Sequence, residues 1–241
     1  MTNMPESQHT IAGTVLTMPV RVRKADVHTA MFSVDAAAAQ KLIDYSGLRV
    51  CQFRPGRAVV NLMLARYIDG DLGQYHEFGT CVMVNPPGSH ARGLRALGDA
   101  AAFIHHLPVD QSFTLEAGRR IWGFPKIMAD FTVRDGNPFS FEVSVEGSLI
   151  AGIEFGRGLP VPMPPRRQVM KAYTFAEGTT RRVPWEMVNT GVRFRPGGAT
   201  LRLGDHPYAK ELASLGLPKR AMVSGSVGNV EMTFGDAEVI S

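Results

Sequence analysis

Lys126 is the one cation in an aromatic and apolar run. Trp122, Phe124, Pro125, Ile127, Met128 and Ala129 surround it, following Gly118-Arg119-Arg120-Ile121. Desolvation among such neighbours disfavours a charged amine. A neutral amine is a nucleophile, and with a carbonyl compound it forms a Schiff base. The run therefore suggests covalent catalysis. The alternative is a lysine whose stem lies on apolar surface with its head in water, and spacing alone leaves both open. Glu77 is the second residue of interest. It sits between Tyr75 and Phe78 in a segment of strand composition. A carboxylate in a half-buried strand needs a partner, or a role as acid or base.

Other chemistries lack their motifs. Neither a Gly-x-Gly-x-x-Gly nor a Gly-x-x-x-x-Gly-Lys-Ser/Thr loop is present, and Gly156-Arg157-Gly158 runs into prolines where a helix would be needed. Nicotinamide, flavin and nucleoside triphosphate chemistry are therefore not expected, and the reading calls for no cofactor. His105 and His106 are adjacent, and on a helix they would point about 100° apart, away from a shared ion. His76 and Glu77 would face opposite sides of a strand. No metal is expected. A nucleophile elbow is missing, since Ser224 and Ser226 are misplaced for one.

Composition sets the class. The chain has 241 residues, 44% hydrophobic and 20% charged, as in a globular protein with a sizeable core. We expect a single domain, 1–241, with residues 1–10 flexible. The net charge is +4, and the basic pairs Arg119-Arg120, Arg166-Arg167, Arg181-Arg182 and Lys219-Arg220 are scattered. Nucleic-acid binding needs clustered cations, so no nucleic-acid partner is expected. No apolar run reaches the roughly 20 residues of a spanning helix, and the polar start lacks the layout of a signal peptide. Cys51 and Cys81 are isolated, as in a reducing compartment. A cytoplasmic protein without a membrane partner is expected.

Many short strands must position these residues. Residues 11–34 read as two short strands. Asp35 reads as the N-cap of a helix stopped at Gly47. Strands follow at 49–53, 58–68 and 75–84, with turns at Arg54-Pro55-Gly56-Arg57 and Asp69-Gly70-Asp71. Residues 90–107, rich in Ala and Leu, read as helical. A short helix at 112–118 would end at Gly118. Glu146-Gly147-Ser148 joins a hairpin of 139–145 and 149–155. The proline-rich 156–168 reads as a crossing loop. Strands at 171–175, 191–195 and 199–203, a helix at 207–215 and strands from 222 to 239 complete the chain. The expected fold is α+β and mostly antiparallel, a sheet curled into a barrel or a double layer with a few short helices.

Three segments together resemble the acetoacetate decarboxylase family. Trp122-Gly123-Phe124-Pro125-Lys126 resembles its aromatic-Pro-Lys segment, and Gly73-Gln74-Tyr75-His76-Glu77 its glutamate segment about fifty residues earlier. The third is Leu203-Gly204-Asp205-His206-Pro207 with Leu215-Gly216-Leu217-Pro218 and Asp236-Ala237-Glu238-Val239-Ile240. The match spans about Val20 to Ile240. It implies a cone-like, mostly antiparallel barrel with an apolar cavity. It makes Lys126 the Schiff-base nucleophile on a small oxo acid, and Glu77 the group that orients substrate or shuttles a proton. Trp122, Phe124 and Met128 are then expected to line the substrate, and a homo-oligomer is expected.

Three positions depart from the family pattern. Its second lysine stands here as Ile127. Its substrate-side arginine falls at Ala25; Arg23 and Lys24 are close but out of register, and a one-residue slip on a strand flips the face. An earlier acidic position reads Asn61-Leu62. Arg23 is nonetheless the candidate for the substrate carboxylate, with Arg92, Arg95, Arg119 and Arg120 as the other available cations. The default reading is decarboxylation of a β-keto acid such as acetoacetate. The alternatives are aldolase, dehydratase or cyclase chemistry on a pyruvate-like acid through the same imine, or a ligand-binding barrel without catalysis.

Overall fold

The computed structural model describes residues 4–89, 91, 93–162 and 164–240. Seven long strands form its frame: β1 (Val20–Asp35), β2 (Arg57–Gly70), β3 (Tyr75–Asn85), β4 (Ala101–His106), β5 (Arg167–Ala176), β6 (Thr179–Pro196) and β7 (Val223–Phe234). They neighbour one another in the order β6-β5-β4-β3-β2-β1-β7, and β7 pairs with β6. That last pairing closes a seven-stranded barrel, antiparallel at every step but β4–β5. Closure gives each barrel strand a partner on both sides. A second, antiparallel sheet of Ala199–Leu203, Ser148–Phe155, Phe139–Val145 and Asp130–Arg134 covers one side. The mostly antiparallel barrel expected from the sequence is the fold observed.

Strand alternation sorts two cores onto the two faces of the barrel wall. Phe32 and Val34 of β1, Ala58, Val60, Leu62 and Leu64 of β2, and Phe78, Val82 and Val84 of β3 face outward. They pack on Phe139, Phe141, Val143, Ile150 and Ile153 of the second sheet. Each such valine, leucine, isoleucine or phenylalanine side chain contributes about 1.5–3 kcal/mol by burial. Helices α1 (Ala36–Ile43) and α4 (Pro207–Ser214) seal the ends of this layer. The other face gathers Val22, Ala25, Ala65, Tyr67, Tyr75, Ala172, Val183, Val230 and Met232 from six strands. Residues from so many strands converge only inside the barrel.

Two further helices are α2 (Gly93–Asp99) and α3 (Ser112–Ala117). α3 begins at Gln111, whose side chain accepts from the Thr114 N–H. It continues without a break as a π-helical turn, Gly118–Trp122. Ala117, Ile121 and Trp122 belong to the inner core, so this segment plugs the barrel. No helix among the described residues is long and apolar enough to cross a membrane.

Several local expectations hold. Asp35 caps α1 by accepting from the Ala38 N–H, and Gly47 adopts φ +71°. Glu146 and Gly147 take the positive φ of a hairpin turn. Four expectations need correction. Residues 8–10 are not loose: Gln8–Ile11 pairs with Thr14–Thr17, and His9 bonds Asp236 at 2.6 Å. The two short strands expected within 11–34 are instead, from Val20 onward, one continuous 16-residue strand, β1. Of the expected helix 90–107, residues 93–99 are helical, while Ala101–His106 is barrel strand β4, with alternate residues buried. Alanine content masked that alternation. Gly118 does follow the last residue of α3, but it is no left-handed stop: its φ is −60°, the chain stays helical to Trp122, and the left-handed stop comes at Gly123, φ +66°.

Candidate active site

Strand register assembles the first half of the site. Tyr67 on β2 lies opposite Tyr75 on β3, and Ala65 lies opposite Glu77. Period-two alternation puts Tyr75 and Glu77 on the inner face, with Tyr67 diagonal to Glu77. The Tyr67 hydroxyl donates to Glu77 Oε1 at 2.9 Å, and the two tyrosine rings stack with centroids 4.2 Å apart. Burial, and next the Glu77 carboxylate, push both phenols well above their ordinary pKa. They stay protonated and can donate.

The plug supplies the second half. After Gly123 the chain turns back, with Phe124 N–H on Gly118 O and Lys126 N–H on Phe124 O. Pro125 suits this tight reversal, because its φ is fixed and no N–H is lost to it. Lys126 thereby runs its stem over Gly118 into the barrel, where it is 2% exposed. Its Nζ donates to Thr114 Oγ1 at 2.9 Å and pairs with Glu77 Oε2 at 2.9 Å. The Tyr75 and Phe124 ring centroids are 5.0 and 5.8 Å from Nζ. The lysine does not snorkel: head and stem are both buried. A buried charge needs a partner, and Glu77 is its ion-pair partner among the described residues. Cys81, on the same strand as Glu77, is no second nucleophile, since burial pushes its thiol up to about 12.

The chain is matched over residues 3–241 by the family described as "Acetoacetate decarboxylase (ADC)". It belongs to the acetoacetate decarboxylase family. Solved structures agree on the fold. The acetoacetate decarboxylase of Legionella pneumophila superposes with a TM-score of 0.68 at 17% identity, over 100% of this chain and 93% of that one. The enduracididine biosynthesis enzyme MppR, complexed with pyruvate, gives 0.65 at 20% identity, over 94% and 92%. An acetoacetate decarboxylase-like enzyme from Sphingomonas wittichii RW1 gives 0.60 at 15% identity, over 98% and 100%. No curated protein sequence matches the chain.

Within this member of the family, the residues expected at the site divide. Lys126, Glu77 and Phe124 come together. Trp122 does not offer itself to a ligand: it is 2% exposed, its indole N–H donates to Gly235 O at 2.7 Å, and its carbonyl accepts from Thr174. It anchors the plug. Met128 is 45% exposed and Arg23 points outward, paired with Asp69 at 2.8 Å and Asp71 at 2.6 Å. Arg23 fails as the carboxylate's partner because the irregular register of β1 puts Ala25, not Arg23, in the row of Tyr67 and Tyr75. Arg119 donates to the Lys126 carbonyl, and Arg120 pairs with Glu116. Arg92 lies outside the described residues. Sequence reasoning missed Tyr67, Thr114 and Gly118. Tyr75 was within reach of it, being two residues before Glu77 on the same strand face.

Proposed function

We propose that Lys126 is the imine-forming nucleophile of a decarboxylase acting on a small β-keto acid, with Glu77 as its proton carrier. The observation that carries this is the Nζ held at 2.9 Å from both the Glu77 carboxylate and the Thr114 hydroxyl, inside an apolar barrel. Glu77 is within reach to take a proton from Lys126. The free amine adds to the keto carbon, and Glu77 returns the proton to the carbinolamine oxygen, which leaves as water. The product is a protonated imine. Its cationic nitrogen accepts the electron pair released when the bond to the carboxylate carbon breaks and CO₂ departs. The resulting enamine takes a proton on carbon, and water hydrolyses the imine to release ketone and free lysine. No cofactor takes part.

The departures from the family pattern bear on the substrate. Ile127 follows the nucleophile, and Ala25, fully buried, occupies the row beside Tyr67. A carboxylate entering this site meets phenol and aromatic faces. Desolvation of that kind disfavours the anion more than the neutral CO₂ it becomes, which supports decarboxylation. Aldol chemistry on a pyruvate-like acid retains its carboxylate and needs a partner for it.

Borohydride reduction in the presence of acetoacetate tests the chemistry, and CO₂ release tests the reaction. The expected result is a reduced adduct on Lys126, lost in Lys126→Ala, together with CO₂. An adduct with pyruvate and aldehyde turnover without CO₂ release would transfer the assignment to the aldol reading. No adduct from any of a panel of oxo acids would leave a ligand-binding barrel.

A further inference from the structure

A second cluster lies on the opposite side of the barrel wall from Lys126. His106 on β4 pairs with Thr80 on β3, but the next partner of Cys81 is Ile104. One step on β3 thus meets two on β4, and His105 is the extra residue of a β-bulge. A bulge re-aims side chains that regular alternation would send to opposite faces. This is why adjacent histidines, expected to diverge, converge here with ring centroids 4.2 Å apart.

Both rings meet one carboxylate. Glu211 on α4 places Oε2 3.0 Å from His105 Nε2 and 2.7 Å from His106 Nε2. The three ligand atoms lie within 4.8 Å of one another. The supports of the cluster are themselves fixed. The His106 ring lies 4.1 Å from that of Tyr208, whose hydroxyl bonds Thr80 Oγ1. The Tyr45 hydroxyl is 2.7 Å from His105 Nδ1. The Glu211 side chain is 43% exposed, so water and ions reach the cluster.

We propose that His105, His106 and Glu211 form a binding site for a divalent transition-metal ion of the zinc class. Two imidazoles and a carboxylate suit such an ion, which binds them at about 2.0–2.2 Å and leaves a position for water. Tetrahedral ligands at that range stand roughly 3.3 Å apart, so the observed 2.7 and 3.0 Å need to open by a few tenths of an ångström. A carboxylate only accepts, so both Nε2 atoms now carry protons. On metal binding each imidazole moves its proton to Nδ1 and offers Nε2. For His105 the new Nδ1–H donates to the Tyr45 oxygen, the outer-shell contact that orients a ligating histidine. The ion ties α4 to the barrel, and by binding the folded chain it stabilises it.

The test uses tag-free protein stripped with chelator and titrated with zinc(II) alone. One zinc per chain is expected, with a rise in Tm at excess zinc. Lys126→Ala binds zinc unchanged. His106→Phe, which keeps the ring on Tyr208, and Glu211→Gln lose more than the roughly 10–100-fold that outer-shell changes cost. Tyr45→Phe loses less than either. Stoichiometric zinc that both ligand variants retain would overturn the assignment, as would its absence from the wild-type protein. Should the variants not fold, cobalt(II) decides on the wild-type chain. Intense visible bands of a four- or five-coordinate ion support the site, and the spectrum of hydrated cobalt alone overturns it.

Discussion

Gly118 and Lys126 occupy one space: a Cβ on Gly118 would stand 2.6 Å from Lys126 Cδ and 2.7 Å from Cε. The backbone of Gly118 is ordinary right-handed helix, φ −60°, so its lack of a side chain serves the lysine and not a turn. The π-helical turn that starts there widens the helix at the point where the lysine passes, and such turns recur at functional sites.

Gly118→Ala separates these effects. In a helix alanine is favoured over glycine by about 1 kcal/mol. Here the methyl group must displace a buried lysine stem, and overpacking costs about 1–3 kcal/mol. We expect net destabilisation and a fall of about 100-fold in borohydride trapping, as for a misplaced reacting group. In a Lys126→Ala background the same change should become stabilising. Urea unfolding of the four proteins checks this. A Gly118→Ala chain as stable and as readily trapped as wild type would refute the contact.

Glu77→Gln keeps shape and removes charge. It should slow trapping by roughly 10²–10⁴-fold, the usual worth of a positioned acid–base group. Breaking a buried pair by removing one partner costs about 3–5 kcal/mol. Adding Lys126→Met should recover part of that loss, because the unpaired amine goes too. Strict additivity of the two changes would show that the pair does not act as a unit.

Tyr67→Phe removes the hydrogen bond to Glu77 Oε1 and leaves the stack on Tyr75. A bond to a charged acceptor is worth about 1.5–3 kcal/mol. The expected outcome is a loss of that size in stability and a shifted pH–rate profile for trapping, with Lys126 still the labelled residue. An unchanged profile would place Tyr67 outside the proton-handling group.

The sequence made the strands that carry this site legible because their faces alternate. Tyr75 and Glu77 lie two apart, which alone puts them on one face of β3. Asp35, Gly47 and the Glu146-Gly147 turn were legible from backbone chemistry. β4 was not, because its two alanines continue an Ala- and Leu-rich stretch of helical propensity, while burial, set by its neighbours, decides the strand. Nor were Thr114 and Gly118. Their roles exist once the plug enters the barrel, and no local pattern encodes that packing. Arg23 misled because the irregular register of β1 near Lys24 is set by its partner strands.

His28 gives the fold a pH dependence of predictable sign. Its ring stacks on Phe139 at 3.6 Å, between barrel and second sheet, and among the described residues its buried Nδ1 has no hydrogen-bond partner. Burial lowers its pKa to about 4, against an upward pull from Asp26. The folded chain therefore prefers neutral His28, while the unfolded chain takes up a proton near pH 6.5. Its contribution is complete above pH 6.5 and is lost as pH falls towards 4, by roughly 3 kcal/mol for a shift from 6.5 to about 4. His28→Phe keeps the stack and cannot titrate. Urea unfolding of both chains at pH 7.5, 5.5 and 4.5, values chosen to bracket that window, should show the variant gaining on wild type as pH falls. Parallel curves across the window would mean that protonated His28 finds water or a partner within the fold.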